Sequence, residues 1–169
     1  HAILTPYFGG AIGYTSRICN FLKDITLENF KAKQVEPQVW MVSRETSKVM
    51  NALGEGKALF VGGCVRNMLL EEEVGDIDIA TQWTPAEASE KLNQAGIKVV
   101  PTGIDHGTIT AVVDKKPYEI TTLRKDIETD GRRAVVSFTE DWREDARRRD
   151  FTMNTLLADQ KGNIYDPTG

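Results

Sequence analysis

The 169-residue sequence has only two cysteines, no apolar run that approaches the roughly 20 residues of a membrane-spanning helix, and no excess of positive charge. Cys19 and Cys64 lie far apart without the spacing of metal ligands, a pattern typical of a reducing compartment. We therefore expect a cytoplasmic protein that does not associate with membranes. The net charge of −4 at pH 7 gives no overall indication of nucleic-acid binding, although a local basic patch would outweigh the total.

The length suits one domain with a substantial core, and both ends of the sequence suggest a fragment of a longer protein. The chain begins with His1 instead of Met and stops at Gly169, where a further turn begins. Residues 1–35 carry little pattern, so we treat them as an N-terminal extension of unclear role. The late first acidic residue, Asp24, leaves open a remnant of a targeting peptide. Residues 36–169 are predicted to form the folded domain.

The most informative stretch runs from Ala58 to Thr81, ALFVGGCVRNMLLEEEVGDIDIAT. An apolar β-type run meets the glycine pair Gly62-Gly63 and continues as a helical segment. Glycines between a strand and a helix let the backbone come close to a bulky anion. They also direct the unpaired N–H groups and the positive dipole end of the helix toward that anion. The pattern therefore predicts a phosphate-binding turn.

Two carboxylates, Asp76 and Asp78, lie on the β-type run that follows. Residues two apart point to the same face of a strand, so the two aspartates should project together while Ile77 and Ile79 face the core. Such a pair suits Mg²⁺, which takes oxygen ligands, keeps several waters and binds substrate phosphates. A phosphate turn beside a carboxylate pair favours phosphoryl or nucleotidyl transfer. A structural turn beside two surface aspartates is the alternative interpretation.

This stretch resembles the signature of the DNA-polymerase-β-type nucleotidyltransferases, and within them the class II tRNA CCA-adding enzymes and bacterial poly(A) polymerases. The resemblance rests on Gly-Gly-x-Val-Arg, on the later Gly-Asp-Ile-Asp-Ile-Ala-Thr, and on a second motif, RRDFTMN, at residues 148–154. It covers about residues 58–169. It implies an α/β (α+β) fold, namely a nucleotidyltransferase head whose mixed, mostly antiparallel sheet is flanked by helices.

The resemblance also implies which carboxylates act. Asp76 and Asp78 would be catalytic and would hold the metal ions, with Mg²⁺ as the cofactor. A third carboxylate comes from a neighbouring strand in this family, and Glu119 matches the Glu of its Tyr-Glu-Val/Ile-Thr-Thr segment. Alternation along that segment places Glu119 and Thr121 on the face opposite Ile120. A surface glutamate on an edge strand is the alternative.

A second set of residues would bind the nucleotide. By the same resemblance, Gly62 and Gly63 would bind the triphosphate and Arg66 would neutralise its charge. Arg149 would contact the bound nucleotide, and Asn154 would help to hold its segment near the sugar. Arginine suits this role because its planar guanidinium binds phosphate oxygens bidentately and keeps its charge.

Local patterns predict the remaining elements. Residues 37–54 have helical periodicity, with Val39, Val42, Thr46, Val49 and Leu53 predicted to face the core. Thr84-Pro85-Ala86-Glu87 is a capping box for a helix that ends near Gly96. Strands are expected at residues 97–102, 107–113 and 118–123, the last two joined by a turn at residues 114–117, and a final hairpin is expected at residues 156–165. Residues 124–134 are highly charged and should form a mobile loop, and Thr139 should cap the helix that follows.

The implied activity is template-independent addition of CCA to the 3′ end of tRNA, by two-metal transfer of NMP from CTP and ATP. A poly(A) polymerase that extends RNA 3′ ends is the first alternative, and a catalytically silent nucleotide- or RNA-binding module is the second. Asn67 replaces the Asp that usually follows Val-Arg, and we expect little effect. The family's neck, body and tail domains, with the base-reading Glu-Asp-x-x-Arg helix, are missing from the sequence, so the head alone should choose poorly between CTP and ATP.

Overall fold

The computed structural model describes residues 27–127, 135–149 and 152–169, and its central feature is an eight-stranded sheet. The strands in these ranges are β1 Lys31–Gln34, β2 Ala58–Val61, β3 Asp78–Thr81, β4 Lys98–Gly103, β5 Thr108–Val113, β6 Lys116–Thr122, β7 Arg124–Ile127, β8 Val135–Phe138, β9 Leu157–Ala158 and β10 Asn163–Tyr165. The α-helices are α1 Val39–Val42, α2 Arg44–Leu53, α3 Gly63–Leu69, α4 Pro85–Gln94 and α5 Trp142–Arg147. Short 3₁₀ turns are formed by Leu27–Phe30, Ile104–His106 and Thr152–Asn154.

The strands of the central sheet lie in the order β1-β10-β9-β2-β3-β6-β5-β4, and β7 pairs with β8 in a separate ribbon. Strands β3 and β6 run parallel, whereas the other paired strands of the described residues are antiparallel. The predicted mixed, mostly antiparallel sheet with flanking helices is therefore confirmed. The parallel pair needs a long crossover, which α4, β4 and β5 supply.

The two faces of the sheet bury different apolar side chains because the side chains alternate along each strand. Helices α2 and α4 pack over one face, where Ile79 and Ile120 are almost fully buried. On the other face, Leu59 and Ala80 form a smaller cluster with Trp142 of α5. This smaller cluster covers only part of its face, so polar side chains of β3, β5 and β6 stay accessible on the remainder.

The helical pattern at residues 37–54 forms two helices instead of one. Ser43 has an extended ψ of 155° and caps α2, since its Oγ accepts a hydrogen bond from the Thr46 backbone N–H. This break changes the direction of α1 relative to α2. The prediction that Val39 and Val42 join the core is wrong, because their side chains are 84% and 50% exposed. Buried positions in α2, such as Val49, agree with the prediction. Among the described helices, none is long and apolar enough to cross a membrane.

The predicted capping box and hairpin are both present. Thr84 and Glu87 exchange side-chain and backbone hydrogen bonds at the start of α4, which ends at Gln94. The hairpin between β5 and β6 has a tighter turn than expected, with only Asp114 and Lys115 between the strands. Both residues have positive φ (49° and 69°), as in the two-residue turns whose twist matches that of the flanking strands. Lys116 therefore belongs to β6.

The charged segment after β6 begins with a strand, so the prediction of a loop from residue 124 onward is wrong for its first four residues. Strand β7 pairs along its full length with β8, and residues 128–134 lie outside the described part of the chain. The helix that follows is capped by Asp141, whose carboxylate accepts from the Arg143 N–H, and not by Thr139. The hydroxyl of Thr139 instead accepts a hydrogen bond from the N–H of Asp141, the residue just before the helix.

Part of the segment assigned to an N-terminal extension contributes to the sheet. Strand β1 pairs with β10 at one edge, and the Asp166 N–H donates to the Phe30 carbonyl. Residues 1–26 lie outside the described part of the chain.

Gly162, in the turn between β9 and β10, cannot carry a side chain in this fold. Its φ is +79°, and an added Cβ would overlap the carbonyl oxygen of Val35, whose N–H donates to the Gly162 carbonyl. Gly96 has a similar φ of +69° but no atom within 4 Å of an added Cβ. The two glycines therefore differ in steric surroundings and not in backbone conformation.

We predict that Gly162→Ala lowers the free energy of unfolding by about 2–5 kcal/mol, the sum of left-handed strain and overpacking. The control Gly96→Ala should lose only the strain contribution, about 1–2 kcal/mol. Urea unfolding followed by circular dichroism measures both. Equal losses in the two variants would contradict the proposed clash with Val35.

Candidate active site

The glycine turn follows directly from β2. Gly62 has φ +74° and ψ −135°, and its carbonyl accepts the hydrogen bond from Arg66 N–H that begins α3. Because β2 and β3 are antiparallel with Phe60 opposite Ile79, the end of β2 lies beside the start of β3. A Cβ at Gly62 would be 3.7 Å from Oδ2 of Asp78. The carboxylate of Asp78 therefore lies beside the glycine turn, where a side chain at position 62 would touch it.

The two predicted aspartates lie where β3 begins. Asp78 is the first residue of the strand and is partly exposed, and Asp76 occupies an exposed bend just before it. Ile77 and Ile79, the residues between and after them, are 2% and 0% exposed. The predicted alternation is confirmed, although Asp76 itself precedes the strand.

Glu119 reaches the same place through the parallel pairing of β3 with β6. The register sets Asp78 beside Glu119, and paired residues of parallel strands lie about 4.8 Å apart with side chains on one face. Its neighbours Tyr118 and Ile120 are buried on the opposite face, whereas Glu119 is exposed. The structure thus brings the predicted third carboxylate next to Asp78, on a strand inside the sheet and not at its edge.

The pKa of Asp78 is raised because its carboxylate is partly buried and lies close to two other carboxylates. Partial burial, the charge of Glu119 and the charge of Asp76 together raise the pKa of Asp78 to about 6, from an ordinary value of 3.8, while Arg149 acts in the opposite direction. Crowded carboxylates disfavour ionisation because like charges repel in a partly desolvated site. A shift of this kind in a group beside a phosphate-type turn is typical of functional sites.

Arg66 lies over the glycine turn and is held by two amides. Its Nη1 donates to Oδ1 of Asn154 at 3.2 Å, and its Nε and Nη2 donate to Oδ1 of Asn67 at 3.2 and 3.0 Å. A Cβ at Gly63 would be 3.7 Å from Nη2 of Arg66. The structure therefore joins the two sequence motifs through one hydrogen bond. Asn67, whose replacement of the usual Asp was expected to have little effect, orients the arginine by accepting two of its hydrogen bonds.

Arg149 follows α5 and is held by a residue that sequence reasoning missed. Its Nε and Nη2 donate to Oδ2 of Asp145 at 3.0 and 2.9 Å, and Asp145 is only 3% exposed. No sequence pattern had assigned a role to Asp145. Its separation of four residues from Arg149 is the spacing at which opposite charges meet on a helix, and that signal could have identified it.

Two other features lie outside this site. His106 is exposed in its 3₁₀ turn, and its backbone carbonyl accepts a hydrogen bond from Nη1 of Arg124. A cavity of about 360 Å³ near the first residue of β2 is lined by residues such as Met50, Asp159 and Tyr165. None of the predicted site residues lines this cavity, so its size does not make it the active site.

The described residues contain no group of three His, Cys, Asp or Glu side chains arranged to hold a metal ion unaided. Asp76 and Asp78 offer carboxylate oxygens only, and their mutual repulsion would be relieved by a cation. Two carboxylates with the other positions left to water and phosphate oxygens are the donor set that Mg²⁺ takes in nucleotide sites. The residues present therefore fit a divalent, oxygen-preferring metal that arrives with a phosphate ligand.

Known proteins resemble this chain over the residues that form the site. The family model described as Poly A polymerase head domain matches residues 58–169. The CCA-adding enzyme of Oceanobacillus iheyensis is 49% identical over 109 residues, which are 63% of this chain and 26% of that protein. The mitochondrial CCA tRNA nucleotidyltransferase 1 of Homo sapiens is 46% identical over 106 residues, which are 62% and 24% of the two chains. This chain spans about a quarter of the length of these relatives.

A solved structure shows the same likeness in three dimensions. The Bacillus stearothermophilus CCA-adding enzyme, determined in complex with CTP, matches this chain with a TM-score of 0.63 at 38% sequence identity. The match covers 75% of this chain and 30% of that one.

The raised pKa of Asp78 predicts how stability depends on pH in metal-free buffer. Between about 3.8 and about 6 the folded state binds more protons than the unfolded state, so stability should fall as pH rises through this window. Asp78→Asn removes the titrating group. The variant should therefore be more stable than the wild type above pH 6, with the difference shrinking toward pH 4.

Urea midpoints measured with EDTA across this pH range test the prediction. Asp105→Asn, at an exposed position in the turn before β5, is the matched control and should follow the wild-type curve. A wild-type curve that rises between pH 4 and pH 6, parallel to that of Asp78→Asn, would contradict the crowding of carboxylates.

Proposed function

The chain belongs to the family of poly(A) polymerase head domains, and from that premise we propose that it is the catalytic head of a CCA-adding tRNA nucleotidyltransferase. One observation carries the proposal most directly. The carboxylate of Asp78 lies where a side chain at Gly62 would touch it, and Asp78 is paired in register with Glu119. A turn suited to a triphosphate thus adjoins an acidic group suited to the metal ions that accompany it.

The relatives support the choice of reaction. Those named above are a CCA-adding enzyme, a CCA tRNA nucleotidyltransferase and a CCA-adding enzyme in complex with CTP. We therefore propose a tRNA 3′ end as the acceptor. Addition of the sequence CCA requires CTP and ATP as the two donors. The activity proposed is that of a whole enzyme of which this chain would form the head.

The nucleotide would be bound mainly by the backbone and by two arginines. The N–H groups that follow Gly62 and Gly63 are available to phosphate oxygens because the first turn of a helix leaves them without intrahelical partners. Arg66, held over this turn by Asn67 and Asn154, adds positive charge. Arg149, whose charge acts on Asp78, would supply a second positive group for the same ligand.

Asp76 and Asp78 would hold Mg²⁺, with Glu119 close enough to complete the acidic site. When bound, Mg²⁺ supplies activation of the RNA 3′-hydroxyl and stabilisation of charge on the departing pyrophosphate. The crowding that raises the pKa of Asp78 supports this role, because a cation lowers the repulsion among the carboxylates.

In the proposed reaction the 3′-oxygen of the RNA attacks the α-phosphorus of CTP or ATP, in line with the bond to pyrophosphate. A phosphodiester bond forms, the α–β phosphoanhydride bond breaks, and the hydroxyl proton is released. The protein's residues position the triphosphate and balance its charge without forming a covalent intermediate. Positioning and electrostatic stabilisation supply most of the catalysis in such transfers.

A poly(A) polymerase is the second candidate, because the family model carries that name. The two reactions use the same acidic site and differ in the nucleotide chosen at each step. We favour CCA addition because the relatives named above carry that activity in their names.

The product distinguishes the candidates. The full-length gene product is incubated with Mg²⁺, CTP, ATP and a tRNA that lacks its last three nucleotides, and the extended RNA is sequenced. We expect CCA ends. Runs of A would favour poly(A) addition, and the absence of any extension would support a silent binding module.

Asp76→Ala and Asp78→Ala should each abolish this extension while the circular dichroism spectrum stays that of the wild type. Both side chains are at least partly exposed, so their removal leaves the core intact. The control Asp105→Ala should retain activity. Extension at the wild-type rate by a variant that lacks both aspartates would refute the assigned roles.

A further inference from the structure

We propose that Asp145 is a positioning residue that sets the orientation of Arg149 toward the nucleotide and fixes it relative to the strands that carry the carboxylates. The inference rests on the proposed function and goes beyond it, since the family resemblance assigned a nucleotide contact to Arg149 but no role to Asp145.

The two carboxylate oxygens of Asp145 accept hydrogen bonds from different residues. Oδ2 accepts from Nε and Nη2 of Arg149 at 3.0 and 2.9 Å. Oδ1 accepts from Nε of Arg148 at 2.9 Å and lies 2.9 Å from its Nη2. Oδ1 also accepts from the backbone N–H of Arg124 at 3.0 Å. Asp145 thus connects two arginine side chains to one backbone position.

That backbone position is joined to β3 by a hydrogen bond of the preceding residue. Arg124 follows Leu123, whose N–H donates to the carbonyl of Thr81, the last residue of β3. The carbonyl of Leu123 in turn accepts from the Thr139 N–H, just before α5. These hydrogen bonds therefore hold the carboxylate of Asp145 in a set position relative to β3, the strand that begins with Asp78. Arg148 adds to the link, because its Nε also lies 3.2 Å from the Arg124 carbonyl.

The contacts leave Arg149 oriented but not enclosed. Its side chain remains 20% exposed, whereas that of Asp145 is only 4% exposed. The ion pair uses Nε and Nη2, so the third nitrogen, Nη1, is not needed for it. A guanidinium held through one edge presents the other in a fixed direction, which reduces the freedom lost when a phosphate binds.

Charge balance gives Asp145 a second effect on the site. The positive charge of the Arg149 guanidinium is balanced by Asp145 through two hydrogen bonds. Without the carboxylate of Asp145, this guanidinium would be free to pair with Asp78 or Glu119 and to compete there with a metal ion. Asp145 engages two of the three guanidinium nitrogens and so opposes that pairing.

Equilibrium binding of CTP in the presence of Mg²⁺ tests the proposal in the full-length gene product, through a double-mutant cycle. Asp145→Asn should weaken CTP binding at least about 10-fold, the size of effect typical for partners that orient a ligating residue. Arg149→Ala should weaken it by at least as much. The variant that carries both changes should lie within about twofold of Arg149→Ala, because Asp145 acts through Arg149.

Glu144→Gln is the matched control, since it neutralises the adjacent acid of the same helix. Glu144 is 37% exposed and bonds with Thr139, and its replacement should change CTP affinity less than about twofold. Additive losses in the double variant, or wild-type affinity in a folded Asp145→Asn, would overturn the proposal. Absence of CTP and ATP binding in the wild type would instead overturn the proposed function and this inference with it.

A measurement on the wild type decides the case in which Asp145→Asn does not fold. The Nε–H of Arg149, assigned by comparison with Arg149→Lys, should give an NMR signal that is protected from exchange with water and shifts when CTP is added. Rapid exchange, as in a solvated arginine, or a signal that CTP leaves unchanged would overturn the proposal.

Discussion

The repulsion among three carboxylates is the constraint around which this domain is organised. Parallel pairing of β3 with β6 sets Asp78 beside Glu119, and the bend before β3 brings the charge of Asp76 near Asp78. Partly desolvated like charges oppose folding, so they persist only where the surrounding structure determines them strongly. Here the buried isoleucines on the opposite face of both strands provide that support. The arrangement is unfavourable for the protein alone and becomes favourable with a cation and a triphosphate.

The two arginines of the site form hydrogen bonds with residues other than the three clustered carboxylates. Arg66 is held by the amides of Asn67 and Asn154, and Arg149 is held by the buried carboxylate of Asp145. Each arginine comes from a different part of the chain, and each is fixed by partners outside the cluster. Opposite charges can therefore lie near one another without neutralising one another. This preorganisation leaves both signs of charge for the substrate and its metal.

Local patterns in the sequence predicted the elements whose causes are local. The capping box of α4 and the alternation in β5 and β6 depend on neighbours a few residues away. The break at Ser43 was missed because one side-chain cap outweighed a continuous helical periodicity. Strand β7 was missed because a charged segment became a strand by pairing with β8.

The site itself was predicted unevenly, for a related reason. The glycine turn lies beside Asp78 because β2, α3 and β3 follow one another in the sequence and β2 pairs with β3. Glu119 lies beside Asp78 through a parallel pairing across about 40 residues, and its place was predicted only from the family resemblance. Asp145 and Arg149 are only four residues apart, whereas the hydrogen bond from the Arg124 N–H to Asp145 joins positions 21 residues apart, which no local pattern encodes. The central claim is that the glycine turn and the carboxylates bind one metal–nucleotide complex. Paramagnetic broadening by Mn²⁺–CTP tests it most directly. Amide signals of Gly62, Gly63, Asp78 and Glu119 should broaden together at low Mn²⁺. Broadening confined to other residues, such as those lining the cavity near Asp159, would contradict the account.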